Sequence, residues 1–307
     1  MSTFRNSDLF KTPSLPFIKG EMSILSRSME QNNIYHLVQD RYGQLASESK
    51  GTHENVARAF GYEASELNSI PKDANLGVSC GNPLVLASLH EGENIIDLGS
   101  GGGIDALLAA KRVGPTGRVI GVDMTKSMLE LARKNAQKAE AFNLSFVEAS
   151  ITSIPLPDAM ADCIISNCVV NLVPRSDKAK VFNEAFRLLK PGGRIAISDI
   201  LLRKQPPESI TRNMSLYVGC IAGASYIHEY EDYLRSEGFR DILIVDKKGD
   251  LNVYKQVFSF DDKKTLGCQS KCTQQDDTQL VDELSEETDK IDFNEWAGSF
   301  DIYALKP

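Results

Sequence analysis

The stretch Asn94-Ile-Ile-Asp97-Leu-Gly99-Ser-Gly101-Gly102-Gly103-Ile104 decides how this 307-residue chain is read. Residues 94–98 form a short apolar run of strand type, and the run stops at a cluster of glycines. A helical pattern follows over 104–112. Glycines at a strand–helix junction let the main chain approach a ligand closely, at a helix N-terminus beside the carboxyl edge of a sheet. A dinucleotide fingerprint requires a further glycine at position 104, and Ile104 stands there instead.

Working outward, the strand–helix rhythm continues. A second strand is expected over 118–122, ending at Asp123, and Thr125 is placed to cap a long helix running to about residue 140. Strands over 144–148 and 162–166 follow. A helix over 178–189 leads through Lys190-Pro191-Gly192-Gly193 into a fifth strand, 194–199. Such alternation with two-sided apolar strands predicts a mainly parallel sheet covered by helices.

Beyond the fifth strand the rhythm changes. A helical stretch over 207–221 ends in small residues, and a helix over 228–237 stops at Gly238. Strands over 241–246 and 299–305 bring the expected total to seven. The polar, acid-rich stretch 261–295 carries Cys268 and Cys272 and has the composition of a mobile loop. Upstream, 21–67 reads as interrupted helices, and a Gly/Pro-marked connector over 71–83 contains Cys80. The expected organisation is a flexible 1–20, a core over 21–205 and a C-terminal portion over 206–307.

Hydrophobic and charged fractions of 42% and 25% are ordinary for a soluble globular protein, and a net charge of −8 argues against a nucleic-acid partner. No apolar run approaches the roughly 20 residues of a membrane span. The first 20 residues lack a signal-type apolar segment, so a cytoplasmic location is expected. The six cysteines are then expected as thiols.

The glycine loop, Asp123 at the end of strand two and Lys190-Pro191-Gly192-Gly193 resemble the class I S-adenosylmethionine-dependent methyltransferases, over roughly residues 77–246. The resemblance implies a Rossmann-like α/β fold with N-terminal helices and a C-terminal lid region. It also implies a cofactor site built from Asp97, Gly99, Gly101, Gly103, Asp123, Met124, Ser150, Ile151 and Asn167. Asp97 would hold the amino acid end and Asp123 the ribose hydroxyls, with Met124, Ser150 and Ile151 bordering the adenine. Asn167 would lie near the methionine portion.

The cysteines narrow the acceptor. Cys168 follows the carboxyl end of strand four, where ligands of open α/β sheets bind. Cys80 and Cys220 both lie in glycine-punctuated segments, whereas Cys163 lies inside a strand and reads as core packing. The three segments around Cys80, Cys168 and Cys220 resemble the arsenite methyltransferase family. Asp250-Leu-Asn-Val-Tyr254 and Asn294-Glu-Trp296-Ala-Gly-Ser-Phe300 resemble its fungal-type members.

That resemblance implies trivalent arsenic held by Cys80, Cys168 and Cys220, a soft atom on soft thiolates. No metal cofactor is expected. Arsenite or its glutathione conjugate would be the substrate, glutathione or thioredoxin the reductant, and mono- or dimethylated arsenicals the products of a detoxification. Many relatives carry a further N-terminal cysteine able to pair with the one matching Cys80, and no cysteine precedes Cys80 here. Cys268 and Cys272 read first as surface thiols of their loop, with a substitute electron relay or delivery site as the alternative. The alternatives are a methyltransferase acting on carbon or oxygen of a small metabolite, and a non-catalytic arsenic-binding protein. A nicotinamide oxidoreductase ranks third, with Ile104 against it.

Overall fold

The structure, a computed structural model, describes residues 34–47, 54–207, 223–254 and 292–307. Short helices lead in: α1 (34–47), α2 (Glu54–Ala59), α3 (Ala64–Asn68) and α4 (Pro83–Ala87). The alternating portion is β1 (Asn94–Leu98), α5 (Ile104–Val113), β2 (Arg118–Asp123), α6 (Lys126–Lys138), β3 (Leu144–Glu148), β4 (Ala161–Asn167), α7 (Lys178–Leu188) and β5 (Leu189–Leu202). After it come β6 (Ser225–Tyr226), α8 (Ile227–Glu237), β7 (Arg240–Asp246) and β8 (Ala297–Leu305).

The sheet order is β3-β2-β1-β4-β5-β8-β7, with β6 pairing with β5. Strands β1 to β5 run parallel, and β8 inserts antiparallel between β5 and β7. The expected seven-stranded, mainly parallel sheet is therefore present, and the two-residue β6 is an addition that periodicity could not reveal. β1 is central because Ile95 to Leu98 are buried on both faces. Its neighbour α5 buries Ala106, Ala109 and Ala110, small side chains that bring the helix axis close to the sheet.

Several boundaries move. β5 begins at Leu189, so Lys190-Pro191-Gly192-Gly193 lies within the strand, where the β4–β5 register shifts between Ala161 and Cys163. Thr125 occupies the N-cap of α6, but its side chain makes no capping bond; instead its N–H donates to Asp123 at 2.8 Å. The expected loop over 261–295 ends in packed structure. Phe293–Glu295 forms a 3-10 turn with Phe293 buried, and Trp296 is buried beside it. The predicted flexible 1–20, the helix over most of 207–221, and Cys220, Cys268 and Cys272 lie outside the described residues.

Candidate active site

A cleft opens at the carboxyl ends of β1, β2 and β4. Its walls are the 99–102 loop, Asp123 to Thr125, Ala149 to Ile151 and Asn167 to Val169, and Tyr35, Val38 and Tyr42 of α1 reach it from above. Helix α1 is pinned there by Gln39, whose Nε2 donates to the Met124 carbonyl at 3.1 Å, and by Tyr35, whose hydroxyl donates to Asp177 at 3.1 Å. Parallel strands place this edge at the switch between β1 and β4, where an open α/β sheet binds its ligand.

Gly99 has φ +70°, and a Cβ there would stand 2.4 Å from Val169 Cγ2. Only glycine turns the chain here while leaving the cleft open. Asp97 and Asp123 both face the cleft, as do Met124, Ser150, Ile151, Gly101 and Asn167. Gly103 stands behind the cleft wall. It caps α5 with φ +93° and packs near Ala132 and Phe146, while Gly102 takes the place on the cleft wall.

The donor set suits a cationic, hydroxyl-bearing ligand. The Oδ2 of Asp97 is buried without a partner among the described residues, as is the hydroxyl of Ser100. Burial holds the Asp97 carboxyl well above the usual range, and the neighbouring Asp105 and Asp123 push it the same way. A positive ligand group would relieve that penalty. Asp123 accepts N–H groups from Gly101 at 3.0 Å and Thr125 at 2.8 Å, leaving lone pairs on both oxygens.

Asn167 lines the cleft, and its side chain is also held by the protein. Its Oδ1 accepts the Cys80 N–H at 3.1 Å, while Nδ2 lies within bonding distance of the Tyr62 hydroxyl (2.8 Å), Gly81 O (2.9 Å) and Asp105 Oδ2 (3.1 Å). Those polar atoms are committed to the protein itself. The Tyr62 hydroxyl donates to Asp105 at 2.7 Å, and burial pushes the Asp105 carboxyl up to about 6. Neither Tyr62 nor Asp105 carried a local signal: one precedes the site by a helix, the other hides in the first turn of α5.

On the β4–β5 side of the cleft lie the sulfurs. Cys80 and Cys168 are buried, with Cα atoms 5.4 Å apart, and are joined as a disulfide. The expectation of separate thiols is corrected for this pair, since the backbones lie within disulfide range. Cys168 has φ +61°, unusual for a side chain with a Cβ, and its N–H bonds to Ser198 O at 2.9 Å. Gly81 permits the approach of the Cys80 loop: a Cβ there would meet Ser198 Cβ at 2.6 Å. The Tyr254 hydroxyl lies 2.6 Å from Ser79 O and 3.5 Å from Cys80 Sγ, and Ser299 Oγ donates to Cys80 O. Cys163 is buried in the core between β1 and β5, as expected, its thiol pushed up to about 12 by burial.

Asp199 completes this corner. One of its oxygens and the two sulfurs all lie within 4.8 Å of one another. It accepts from Asn171 Nδ2 at 2.8 Å and from the Tyr230 hydroxyl at 2.6 Å. Burial pushes its carboxyl up to about 6.

The fold and cleft are those of a class I S-adenosylmethionine-dependent methyltransferase, and the chain belongs to the methyltransferase domain family, whose model matches residues 89–266. Its similarity is more particular than that class. It is 41% identical to an arsenite methyltransferase of Halobacterium salinarum over 199 residues, covering 65% of this chain and 50% of that one. It is 34% identical to the human arsenite methyltransferase over 217 residues, 66% and 57% of the respective chains. This chain thus spans between half and two thirds of those relatives' length.

Among solved structures, an arsenic (III) S-adenosylmethionine methyltransferase from Chlamydomonas reinhardtii aligns with TM-score 0.50 and 28% identity, over 82% of this chain and 72% of that one. A phosphoethanolamine N-methyltransferase of Haemonchus contortus, bound to S-adenosyl-L-methionine, aligns with TM-score 0.55 and 19% identity over 80% and 61%. That second likeness speaks to the fold alone.

Proposed function

We propose that this chain is an arsenite methyltransferase, moving a methyl group from S-adenosylmethionine to thiol-bound trivalent arsenic. The observation that carries the reading is the meeting of Cys80 and Cys168 beside the glycine-walled cleft. Two buried sulfurs at that edge suit a soft acceptor and have no use in methylating carbon or oxygen. The similarity to arsenite methyltransferases at 34–41% identity supports the same choice.

In this reading Asp97, Gly99, Gly101, Asp123, Met124, Ser150 and Ile151 hold the cofactor. Gly103 sets the turn behind them, and Asn167 positions the Cys80 loop. Bound there, S-adenosylmethionine supplies an electrophilic methyl group on a sulfonium. Cys80 and Cys168, opened to thiols, take two positions on arsenic, and Cys220 is assigned the third. Each S–As bond formed releases one hydroxide of arsenite, which leaves as water with the thiol proton.

The arsenic lone pair then attacks the methyl. No proton leaves the nucleophile, so a general base is unnecessary. Holding both partners at attack distance can contribute about 7–11 kcal/mol. Methyl transfer raises arsenic from the trivalent to the pentavalent state. Two of its thiolates return that electron pair by closing to a disulfide. Glutathione or thioredoxin, itself oxidised to a disulfide, reopens the pair to two thiols. Arsenite or its glutathione conjugate is the proposed substrate, the methylated arsenical the product, and the cytoplasm the proposed site of this detoxification.

The test is incubation with arsenite, methyl-labelled cofactor and glutathione. Label on arsenic with the wild type and none with Cys168→Ser is expected. Label on no arsenical, with transfer to a small metabolite that survives Cys168→Ser, would replace this reading by the metabolite methyltransferase. Tight arsenic binding without any labelled product would leave a binding protein.

A further inference from the structure

Asp199 has no part in methyl transfer as derived above, yet it is buried against the two sulfurs. We infer that the opened Cys80–Cys168 pair and the Asp199 carboxylate form a site for a borderline-soft divalent cation of the zinc class, whose binding closes the dithiol to arsenic. The inference rests on the reading of Cys80 and Cys168 as a reducible thiol pair.

The geometry comes first. Sγ of Cys80, Sγ of Cys168 and one Asp199 oxygen lie within 4.8 Å of one another, and all three residues are buried. Once reduction parts the bonded sulfurs, a tetrahedral zinc-type ion, with metal–sulfur bonds of about 2.3 Å and metal–oxygen bonds of about 2.0–2.2 Å, can be held between them and the carboxylate. Two thiolates with one carboxylate select such an ion over magnesium or calcium, which prefer all-oxygen sets.

Orientation comes second. Asp199 Oδ1 accepts from Asn171 Nδ2 at 2.8 Å and from the Ile200 N–H at 2.9 Å, and Oδ2 accepts from the Tyr230 hydroxyl at 2.6 Å. Oδ1 thus has both lone pairs engaged, while Oδ2 keeps one to offer a cation. Such outer hydrogen bonds fix a ligating carboxylate in place.

Charge comes third. Lys178 is buried, and its ammonium donates to Asn171 Oδ1 at 3.2 Å and Ser225 Oγ at 2.9 Å. Among the described residues Lys178 is the cation at this corner, so two thiolates and a carboxylate would leave a surplus of two negative charges. A divalent ion cancels that surplus, which a dry interior tolerates poorly.

The test uses the full-length chain, reduced with a phosphine and titrated with Co²⁺ as a zinc reporter. One Co²⁺ per chain is expected, with thiolate-to-cobalt charge-transfer bands and tetrahedral d–d bands, both displaced by Zn²⁺. Cys168→Ser should lose the charge-transfer intensity. Asp199→Asn should keep it but bind Co²⁺ at least about tenfold more weakly. X-ray absorption of the zinc-loaded wild type should show two sulfur neighbours and a nitrogen/oxygen shell. This second measurement stands even if Asp199→Asn fails to fold.

Absence of charge transfer overturns the inference. So do an all-sulfur shell, unaltered affinity in Asp199→Asn, or loss of the bands in a Cys268→Ser/Cys272→Ser chain with Cys80 and Cys168 intact. If the cobalt site forms as described but arsenite neither displaces the metal nor accepts labelled methyl, the arsenic reading alone fails.

Discussion

The side-chain oxygen of Asn167 accepts the main-chain N–H of Cys80 at 3.1 Å, binding the end of β4 to a loop 87 residues earlier. Through its amide nitrogen the same side chain reaches Gly81, Tyr62 and Asp105. One asparagine thereby ties the helix behind the glycine loop to the loop that presents a sulfur. Replacing Asn167 by Ala should lower the unfolding free energy by about 2–3 kcal/mol, since several buried groups lose their partner at once. Urea unfolding measures this. The Cys80–Cys168 disulfide should also form more slowly from the reduced chain, as followed by thiol labelling, because Cys80 is no longer held in place.

Serine at position 80 or 168 substitutes a hard oxygen for a soft sulfur at nearly equal size. Each change should reduce arsenite-dependent methyl transfer at least about 100-fold. Binding of labelled S-adenosylmethionine, measured by equilibrium dialysis, should remain close to wild type. Equal loss of both would mean that the sulfurs support the fold rather than the acceptor.

Alanine at Gly99 must adopt φ +70° and drive its Cβ into Val169. A cost of about 1–3 kcal/mol in stability is expected. Val169 follows Cys168 directly, so both cofactor affinity and methyl transfer should fall together. Calorimetric titration with S-adenosylhomocysteine reads the first and the labelled assay the second. Gly192 shares the left-handed backbone (φ +79°) but has nothing near its Cβ position, so it is the control: alanine there should carry a backbone cost in stability and leave both readouts near wild type.

Burial raises the folded-state pKa of Asp199 to about 6, above its ordinary value of 3.8. The folded chain therefore binds a proton more tightly than the unfolded one. Its contribution to stability is complete below the ordinary value and is lost as pH rises through about 6. The span corresponds to about 3 kcal/mol. Asp199→Asn should flatten this part of the curve between pH 4 and 7, measured by urea midpoints. The lowered carboxyls of Glu93, Asp162 and Glu184 act in the opposite direction and should be unaffected by the change.

The local parts of the fold were legible. Residues 94–98 and 144–148 are predicted and observed with the same bounds, because apolar runs bounded by glycine or polar residues are a property of the segment itself. Gly238 ends α8 in the left-handed conformation, as a helix followed by glycine implies. Gly99, Gly101, Asp97 and Asp123 were legible because they crowd one strand–helix junction and the end of its neighbour. That Gly102 lines the cleft while Gly103 caps α5 was not legible, since it depends on the turn's φ values.

By itself, the sequence determined the alternating elements, the glycine loop and the identity of the cysteines, all of which follow from side-chain chemistry and near-neighbour spacing. Only the tertiary structure decided that Cys80 meets Cys168, that Asp199 lies against both, and that Tyr62, Asn167 and Asp105 form one hydrogen-bonded set. Those meetings depend on β4 lying between β1 and β5 and on the register that sets Asn167 opposite Ser198. Strand order and register are settled by the packing of the whole sheet, and no short window of residues contains that information.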